Sequence, residues 1–179
     1  MPYDIVPVVQ TAAGPTVSDA HLRAIWERLV AERKAEMVFY AGGISTAEQF
    51  VAFMRAPQIA ACIAVDAARH PLIVGWLTNI DNAAAFAHYF VLGRPRRQAG
   101  WAMRDYWLEL RKADGSHLLD VLIGITPESH TLALRLLRLM GFTTIGTIPR
   151  YCNCVHAGGR QGGVISHYER RETRGPAQP

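Results

Sequence analysis

Three short apolar segments that follow one another closely constrain the fold of this chain most strongly. They cover residues 59–66, 72–79 and 84–92. The links between them contain turn-forming residues, among them Pro71 and the pair Asp81-Asn82. Short apolar runs joined by such links are typical of consecutive antiparallel strands. The three segments therefore predict an antiparallel meander.

Amphipathic helices and further strands are predicted on both sides of this meander. Ser18 is a suitable N-cap for a first helix, and Thr46 with Gln49 forms a capping-box pattern at the start of a second. The segment 118–125 has the unbroken Leu, Val and Ile content of a buried strand. The predicted order is strand 3–10, helices 18–34 and 45–56, strands 59–66, 72–79 and 84–92, helix 98–112, strand 118–125, helix 127–141, and strands 143–156 and 164–170. This order of about seven strands and four helices predicts an α/β fold.

The size and charge of the chain limit its organisation and its partners. The chain has 179 residues and a net charge of +4. Its length suits one compact domain over residues 1–170, followed by a flexible basic tail at 171–179. No apolar run is long enough to span a membrane, and the N-terminus lacks a secretory signal. We therefore expect a cytoplasmic protein that does not associate with membranes.

The junction between the third meander strand and the next helix carries the clearest functional signal. The sequence Arg97-Gln98-Ala99-Gly100-Trp101-Ala102 opens that helix, and Arg94 and Arg96 precede it. The first amides of a helix have no partner within the helix and attract anions. Nearby arginines strengthen such a site for a phosphorylated small molecule. The alternative interpretation is an ordinary helix start beside a solvated basic loop. Nucleic acid is disfavoured, because no exposed aromatic residues are interleaved with the basic ones.

This turn resembles the pyrophosphate motif of the GNAT superfamily of acyl-CoA N-acyltransferases. That motif has Arg or Gln, two residues, Gly, one residue, then Gly or Ala. Downstream, Ala133, Leu136 and the pair Gly141-Phe142 lie at the spacing of a second motif of the same family. The resemblance covers nearly the whole chain, and the order of strands and helices agrees with it. It implies the GNAT fold, with a mixed, mostly antiparallel central sheet.

The resemblance also implies a cosubstrate and a reaction. Acetyl-CoA would donate its acetyl group to a primary amine of a small molecule or protein, and the amine would attack directly. The strand at 84–92 would splay away from the strand at 118–125, and pantetheine would lie in the gap. The residues implied for coenzyme binding are Phe90, Val91, Leu92, Arg97, Gln98, Ala99, Gly100, Trp101, Ala102 and His130. No metal is expected.

The sequence departs from the family at two helix positions. The tyrosine that protonates the leaving thiolate is replaced by Leu137, and the asparagine at the start of the same helix is replaced by His130. Tyr151, on the following strand, is the candidate for reaching the sulfur instead. Its alternative role is that of a packing residue with a solvated hydroxyl group. The loss of the usual tyrosine also favours a second hypothesis, a GNAT-like coenzyme A-binding module without catalysis.

The candidate general base lies on the strand before the pyrophosphate turn. The family often has a glutamate there, near Phe86 in this chain, and a period of two places His88 on the same face. A histidine with a pKa near 6.5 suits proton abstraction around neutral pH. Alternatively, His88 only packs on an apolar strand. Tyr89, on the opposite face, is expected to be a core residue. Asp120 and Glu128 are weaker acid–base candidates.

A zinc site is the competing interpretation of the C-terminal strands. Cys152, Cys154 and His156 alternate, so an extended strand would direct them to one face, with His167 on the partner strand as a fourth ligand. Ligands that alternate on one strand lie wider apart than a tetrahedral edge, about 6–7 Å. Half-buried strand cysteines explain the pattern equally simply.

The sequence does not identify the amine acceptor. In this family, the acceptor is selected by the loop at 39–44, by the edge of the second helix and by the hairpin at 158–163. The glycines around Arg160 predict a mobile lid there, and the charge of Arg160 favours an acidic acceptor. The open edges of the sheet also allow pairing into a homodimer.

Overall fold

A computed structural model describes residues 3–170 of the chain. The expected basic tail at 171–179 lies outside the described residues. The strands are β1 (Asp4–Pro7), β2 (Gln10–Thr11), β3 (Gly14–Pro15), β4 (Ala60–Val65), β5 (Pro71–Asp81), β6 (Ala84–Val91), β7 (Val121–Pro127), β8 (Thr143–Cys154) and β9 (Gly159–Glu169). The helices are α1 (Asp19–Ala31), α2 (Ala35–Val38), α3 (Ala47–Arg55), α4 (Arg97–Leu108), α5 (Thr131–Leu139) and a 3₁₀ turn (Val155–Ala157).

Seven of the strands form one sheet in the order β1-β4-β5-β6-β7-β9-β8. Every neighbouring pair in it is antiparallel except β6 and β7, which are parallel. The predicted mixed, mostly antiparallel sheet of about seven strands is confirmed, and so is the meander, which is β4-β5-β6. Strands β2 and β3, which form a separate two-stranded sheet, and the short helix α2 were not predicted.

The predicted starts of α1 and α3 are confirmed by hydrogen bonds, but α5 begins at Thr131, four residues later than predicted, because β7 continues to Pro127. The Ser18 side chain accepts from the His21 amide at the start of α1, at 3.2 Å. At α3, the Thr46 hydroxyl accepts from the Gln49 amide, and the Gln49 side chain accepts from the Thr46 amide, which is a complete capping box. These contacts are local in sequence and satisfy amides that the helix itself leaves unpaired.

The segment 158–163, which was predicted to be a mobile lid, is mostly strand, because β9 begins at Gly159 and Arg160 pairs with Asn153 of β8. Gly162 serves close packing, because a Cβ atom there would lie 2.7 Å from the Glu128 carboxylate. Two other strand bounds also shift. Strand β8 ends at Cys154 instead of His156, and β7 begins three residues later than expected, at Val121.

Helices cover both faces of the sheet. Helices α1 and α3 pack on one face with Val74, Trp76 and Phe90, while α4 and α5 pack on the other with Leu77 and Leu122. Helix α4 approaches β5 so closely that a Cβ atom at Gly75 would lie 2.5 Å from the Met103 sulfur. Within residues 3–170, no helix has the length and apolar character that a membrane span needs.

Candidate functional site

The parallel strands β6 and β7 separate after a short paired stretch. They are hydrogen-bonded only where residues 84–86 face residues 121–123. Beyond this point β6 continues along β5, up to Val91 opposite Ile73, while β7 continues along β9, up to Pro127 opposite Gly163. The gap between the two strands therefore widens toward their carboxyl ends, as the sequence analysis expected.

A cavity of about 290 Å³, here called the main cavity, occupies this gap. Residues from both faces of the sheet line it. On the α1–α3 face they include Trp76 and His88, and on the α4–α5 face they include Tyr89 and Leu137. The remaining lining residues are Lys34, Met37, Val38, Tyr40, Ala87, Phe90, Val91, Gly93, Pro95, Gly124, Ile125, Thr126, Pro127, His130, Leu132, Ala133 and Leu136. The cavity thus passes through the sheet.

The backbone of β6 offers hydrogen-bonding groups to this cavity. The Leu92 amide donates to the Leu72 carbonyl at 2.8 Å, so it faces β5. Because backbone groups alternate along a strand, Phe90 also faces β5, while Tyr89 and Val91 face the gap. Of the three residues implied for pantetheine, Val91 offers its backbone amide, because its carbonyl accepts from Lys34 at 2.9 Å. Phe90 lines the cavity, and Leu92 is buried outside the lining.

A two-residue clamp, which the sequence analysis missed, holds the end of β6. The Lys34 ammonium group donates to the Val91 carbonyl at 2.9 Å, to the Gly93 carbonyl at 3.2 Å and to the Glu32 carboxylate at 2.6 Å. The Gly93 amide donates in turn to Glu32 at 2.8 Å. Burial alone would raise the pKa of Glu32, but hydrogen bonds from Lys34, the Gly93 amide and Arg28 lower it overall. An ionised clamp therefore fixes the turn that leads into α4.

His88 is held in one orientation by two neighbours. Its ring stacks on Trp76 with centroids 5.4 Å apart and planes 8° apart. Its Nε2 atom lies 3.0 Å from the Thr78 hydroxyl oxygen. Burial lowers the pKa of His88, so the ring is neutral at pH 7 and one nitrogen can accept a proton. Phe86, at the position where the family has glutamate, lies where β6 still pairs with β7.

The opposite wall of the gap carries apolar groups. Leu137 is buried and lines the cavity, and a Cβ atom at Gly124 would lie 3.7 Å from its methyl carbons. Tyr89 lies on this face, as expected for it, and its hydroxyl group lies 3.4 Å from the Ala133 carbonyl of α5. Tyr89 therefore reaches across the gap from β6 to α5, in addition to packing in the core.

A second cavity of about 210 Å³, here called the side cavity, adjoins the first. Met37, Tyr40 and His130 line both of them. His130 is the N-cap residue of α5 without a side-chain capping bond, and Tyr40 meets its ring edge-on with centroids 5.8 Å apart. Burial lowers the pKa of His130. The other residues that line the side cavity are Arg33, Glu36, Cys154, His156 and Ala157.

Tyr151 is not among the residues that line either cavity in the described part of the chain. Its side chain on β8 is 53% exposed, and its nearest contacts include Gly163 of β9. Tyr40 lies between β8 and the main cavity. It lines the cavity, and its hydroxyl oxygen lies 3.9 Å from the sulfur of Cys152 on β8. No local sequence pattern distinguishes Tyr40, which follows α2 in an irregular segment.

The start of α4 lies directly beyond the clamp and has the features of an anion site. No side chain caps this helix, and its first turn contains no acidic residue. The Ala99 and Gly100 amides both donate to the Arg96 carbonyl. Within residues 3–170, no hydrogen-bond acceptor is found for the Arg97 and Gln98 amides. Free amides and positive charge therefore coincide at this helix start.

The other residues of the turn anchor α4 to α5. A Cβ atom at Gly100 would lie 3.0 Å from the Met140 sulfur, so this glycine permits close helix packing. The Trp101 indole nitrogen donates to the Leu139 carbonyl at 3.0 Å, and the Arg97 guanidinium group lies 4.1 Å from the Trp101 ring centroid. The Trp101 and Ala102 amides belong to the interior of the helix. Only the first two positions of the turn thus offer amides to a ligand.

The geometry of the C-terminal strands does not assemble the zinc ligands considered above. His156 lies in the 3₁₀ turn, 3.8 Å from the Glu36 carboxylate. His167 pairs with Thr143, whereas Cys152 pairs with Gln161. Gln161 and His167 are six residues apart on β9, which is a distance of about 20 Å along the strand. Burial raises the pKa values of Cys152 and Cys154. In residues 3–170, no three His, Cys, Asp or Glu side chains are grouped closely enough to hold a metal ion.

The weaker acid–base candidates lie outside the lining of the main cavity. Asp120 precedes β7 and forms an ion pair with Arg170. Glu128 accepts a hydrogen bond from the Gly162 amide at 3.1 Å. Both carboxylates hold strands β7 and β9 together.

Comparison by sequence finds no match for this chain, whereas comparison by structure finds similar proteins. No protein-family model and no curated protein sequence matches the chain. Among solved structures, the chain is similar to a spermidine N-acetyltransferase from Vibrio cholerae in complex with CoA and spermine, with 12% identity, a TM-score of 0.70 and coverage of 94% of this chain and 95% of that one.

Two ribosomal-protein acetyltransferases are similar to the same extent. RimL, a ribosomal L7/L12 alpha-N-protein acetyltransferase in complex with coenzyme A, has 11% identity and a TM-score of 0.68 over 93% of this chain and 98% of that one. The ribosomal-protein-S5-alanine acetyltransferase from Vibrio fischeri has 12% identity and a TM-score of 0.67 over 96% and 95%. The separated parallel strands, the uncapped helix start beyond them and these similarities agree: the chain has the GNAT acetyltransferase fold.

Proposed function

We propose that this protein is an N-acetyltransferase that transfers an acetyl group from acetyl-CoA to a primary amine by direct attack. The observation that carries the proposal is the main cavity, which passes through the sheet between β6 and β7. An acyl donor and an amine can therefore meet in the gap from opposite faces of the sheet. Such positioning supplies much of the rate in a direct transfer.

The residues around the gap fit an elongated, phosphorylated cosubstrate. The free Arg97 and Gln98 amides, with Arg94, Arg96 and Arg97, match the charge of a pyrophosphate group. The backbone of Tyr89 and the amide of Val91 face the gap and match the amides of pantetheine. These groups would hold coenzyme A with its thioester in the gap. The cosubstrate supplies the activated acyl group.

The protein's own groups then handle the proton of the amine. His88 is neutral and lines the gap, so it is our candidate for the base that accepts this proton when the amine attacks the carbonyl carbon. A backbone amide of β6 that faces the gap would polarise the carbonyl group. Tyr151 would serve as acid only after a rearrangement of β8, because it lies outside both cavities.

The test is the release of thiol from acetyl-CoA in the presence of small primary amines and of peptides with a free N-terminus. We expect His88→Ala to lower kcat/KM about 100-fold. His70→Ala is the matched control, because His70 is an exposed histidine in the β4–β5 link. Equal turnover by both variants and the wild type would contradict the role of His88.

The second candidate function is a coenzyme A-binding module without catalysis. The buried Leu137, in place of the family tyrosine, is the observation that favours it. Calorimetric titration with coenzyme A, combined with the thiol-release assay, separates the two functions. Tight binding without thiol release on any amine would support the module and contradict the enzyme.

A further inference from the structure

The gap needs a proton donor that position 137 does not provide. When an amine displaces coenzyme A, the sulfur leaves as a thiolate, and a positioned acid accelerates this step. Leu137 is buried in the wall of the gap and has no proton to give. This inference rests on the proposed acetyl transfer and asks which other residue supplies the proton.

Three side chains with hydroxyl groups line the main cavity: Tyr40, Tyr89 and Thr126. Tyr40 follows α2, and its hydroxyl group points toward Cys152 of β8 and the side cavity. Thr126 lies at the outer end of β7, next to Pro127. Tyr89 differs from both, because it lies in the middle of the widening part of β6, directly after His88.

The Tyr89 side chain points to the same face of the sheet as Leu137. Its hydroxyl group lies 3.4 Å from the Ala133 carbonyl. Ala133 and Leu137 are four residues apart on α5 and therefore neighbours on one face of that helix. The Tyr89 hydroxyl group thus occupies the α5 side of the gap, one helical turn from the position where the family has its tyrosine.

The environment of Tyr89 keeps its hydroxyl group protonated and free to turn. Burial raises the pKa of Tyr89, so the phenol does not ionise near neutral pH. At 3.4 Å the contact with Ala133 is a long hydrogen bond, weaker than the usual O–H···O bond. The hydroxyl group can therefore exchange this carbonyl for a stronger acceptor, such as a thiolate.

We propose that Tyr89 is the general acid of the transfer and replaces the missing tyrosine at position 137. The amine nitrogen forms a bond to the thioester carbon, and the C–S bond breaks with its electron pair on sulfur. The sulfur takes the proton of the Tyr89 hydroxyl group. His88 accepts the proton that the amine loses and releases it to water, and the Tyr89 phenolate regains a proton from water. The products are an amide and a free thiol, so the protons balance.

The variant Tyr89→Phe tests the proposal, with Tyr106→Phe as the matched control, because Tyr106 is a half-buried tyrosine that packs against the same core cluster and lies outside the lining of both cavities. We expect Tyr89→Phe to lower kcat at least about tenfold and Tyr106→Phe to change it less than about threefold. The KM for acetyl-CoA and the Kd for coenzyme A should stay at the wild-type values in both. A wild-type kcat in Tyr89→Phe would overturn the proposal.

A second acyl donor separates acid catalysis from a structural role. The acetyl selenoester of selenocoenzyme A releases a selenolate, which is a weak base and leaves without a proton. With this donor we expect Tyr89→Phe and the wild type to have nearly equal kcat values. An undiminished loss of kcat with the selenoester would show that Tyr89 acts structurally and would overturn the proposal.

The outcomes also distinguish this inference from the proposed function. A wild-type protein that releases no thiol with any amine contradicts the acetyl transfer itself. A wild-type protein that turns over as fast as Tyr89→Phe contradicts only the role of Tyr89.

Discussion

The start of α4 and the gap between β6 and β7 are two halves of one candidate site, and they rely on different interactions. The start of α4 is exposed and uses free backbone amides beside arginines. The gap is buried and uses side chains that other strands hold in place, such as His88 on Trp76. The clamp of Lys34 and Glu32 joins the two halves.

This difference separates binding from chemistry. An exposed helix start attracts phosphate groups through charge, and no proton needs to move there. A buried ring with a lowered pKa can accept a proton at neutral pH. Substitutions at the start of α4 should therefore change coenzyme affinity, and substitutions in the gap should change turnover. The expected effects below decrease from the first prediction to the last.

The largest expected effect is the pH dependence that His88 gives to turnover. Burial lowers its pKa below 6.5, and only the neutral ring accepts a proton. We therefore expect kcat/KM to follow only the protonation of the amine above pH 6.5, and to fall by a further factor of about ten per pH unit when the pH drops through the lowered pKa of His88. Rates from pH 4.5 to 8 with a saturating coenzyme check this.

The control for this profile is the variant His88→Ala, which should lack the steeper limb at acidic pH. The amine's own pKa lies well above 7, so its protonation gives the same shallower limb in both proteins. A steeper acidic limb that persists in the variant would assign the proton to another group and would contradict the role of His88.

Gln98→Glu should raise the stability of the protein and lower its affinity for coenzyme A. The new carboxylate would interact favourably with the start of α4 and stabilise the ligand-free protein by about 0.5 kcal/mol. The same charge would repel a pyrophosphate group and weaken coenzyme A binding about tenfold. Thermal unfolding and calorimetry measure the two effects.

Gln98→Ala separates charge from side-chain loss, because it leaves the helix start without a new carboxylate. A gain in stability in Gln98→Glu with unchanged coenzyme affinity would show an ordinary helix start. That result would contradict the assignment of coenzyme binding to the start of α4.

The smallest expected effect belongs to the apolar wall of the gap. Leu137→Met conserves volume beside Gly124 and should cost less than about 1.5 kcal/mol of stability. We expect kcat to stay within about threefold of the wild-type value, because neither side chain donates a proton. Leu119→Met is the control, since Leu119 is a fully buried core residue outside the cavity lining. A much larger loss of kcat than in the control would assign Leu137 a part in turnover.

Local patterns in the sequence were sufficient for much of the scaffold. The capping box at Thr46 and the N-cap at Ser18 involve residues within one helical turn, so their hydrogen bonds follow from spacing alone. The meander β4-β5-β6 follows from short apolar runs with turn residues between them. The glycines at 158–163 misled the prediction of a loop, because the close packing of Gly162 depends on Glu128, which is distant in sequence.

The candidate site was less accessible from the sequence. The basic helix start was recognisable, because its amides and arginines are neighbours in the chain. The clamp at Lys34 was not, since its partners Val91 and Gly93 lie almost 60 residues away in the chain. Tyr40 and Tyr89 were likewise inconspicuous, because a single tyrosine in a loop or strand shows no period.

The sequence by itself determined the seven strands of the main sheet, the four longer helices, their order and the charge at the start of α4, since propensity, capping and turn formation act over a few residues. The tertiary structure alone decided that β6 leaves β7 after three paired residues and that Trp76 and Thr78 hold His88. It also placed the Tyr89 hydroxyl group against α5. These features depend on strand register and on contacts between distant segments, which become fixed only when the whole sheet and its helices pack together.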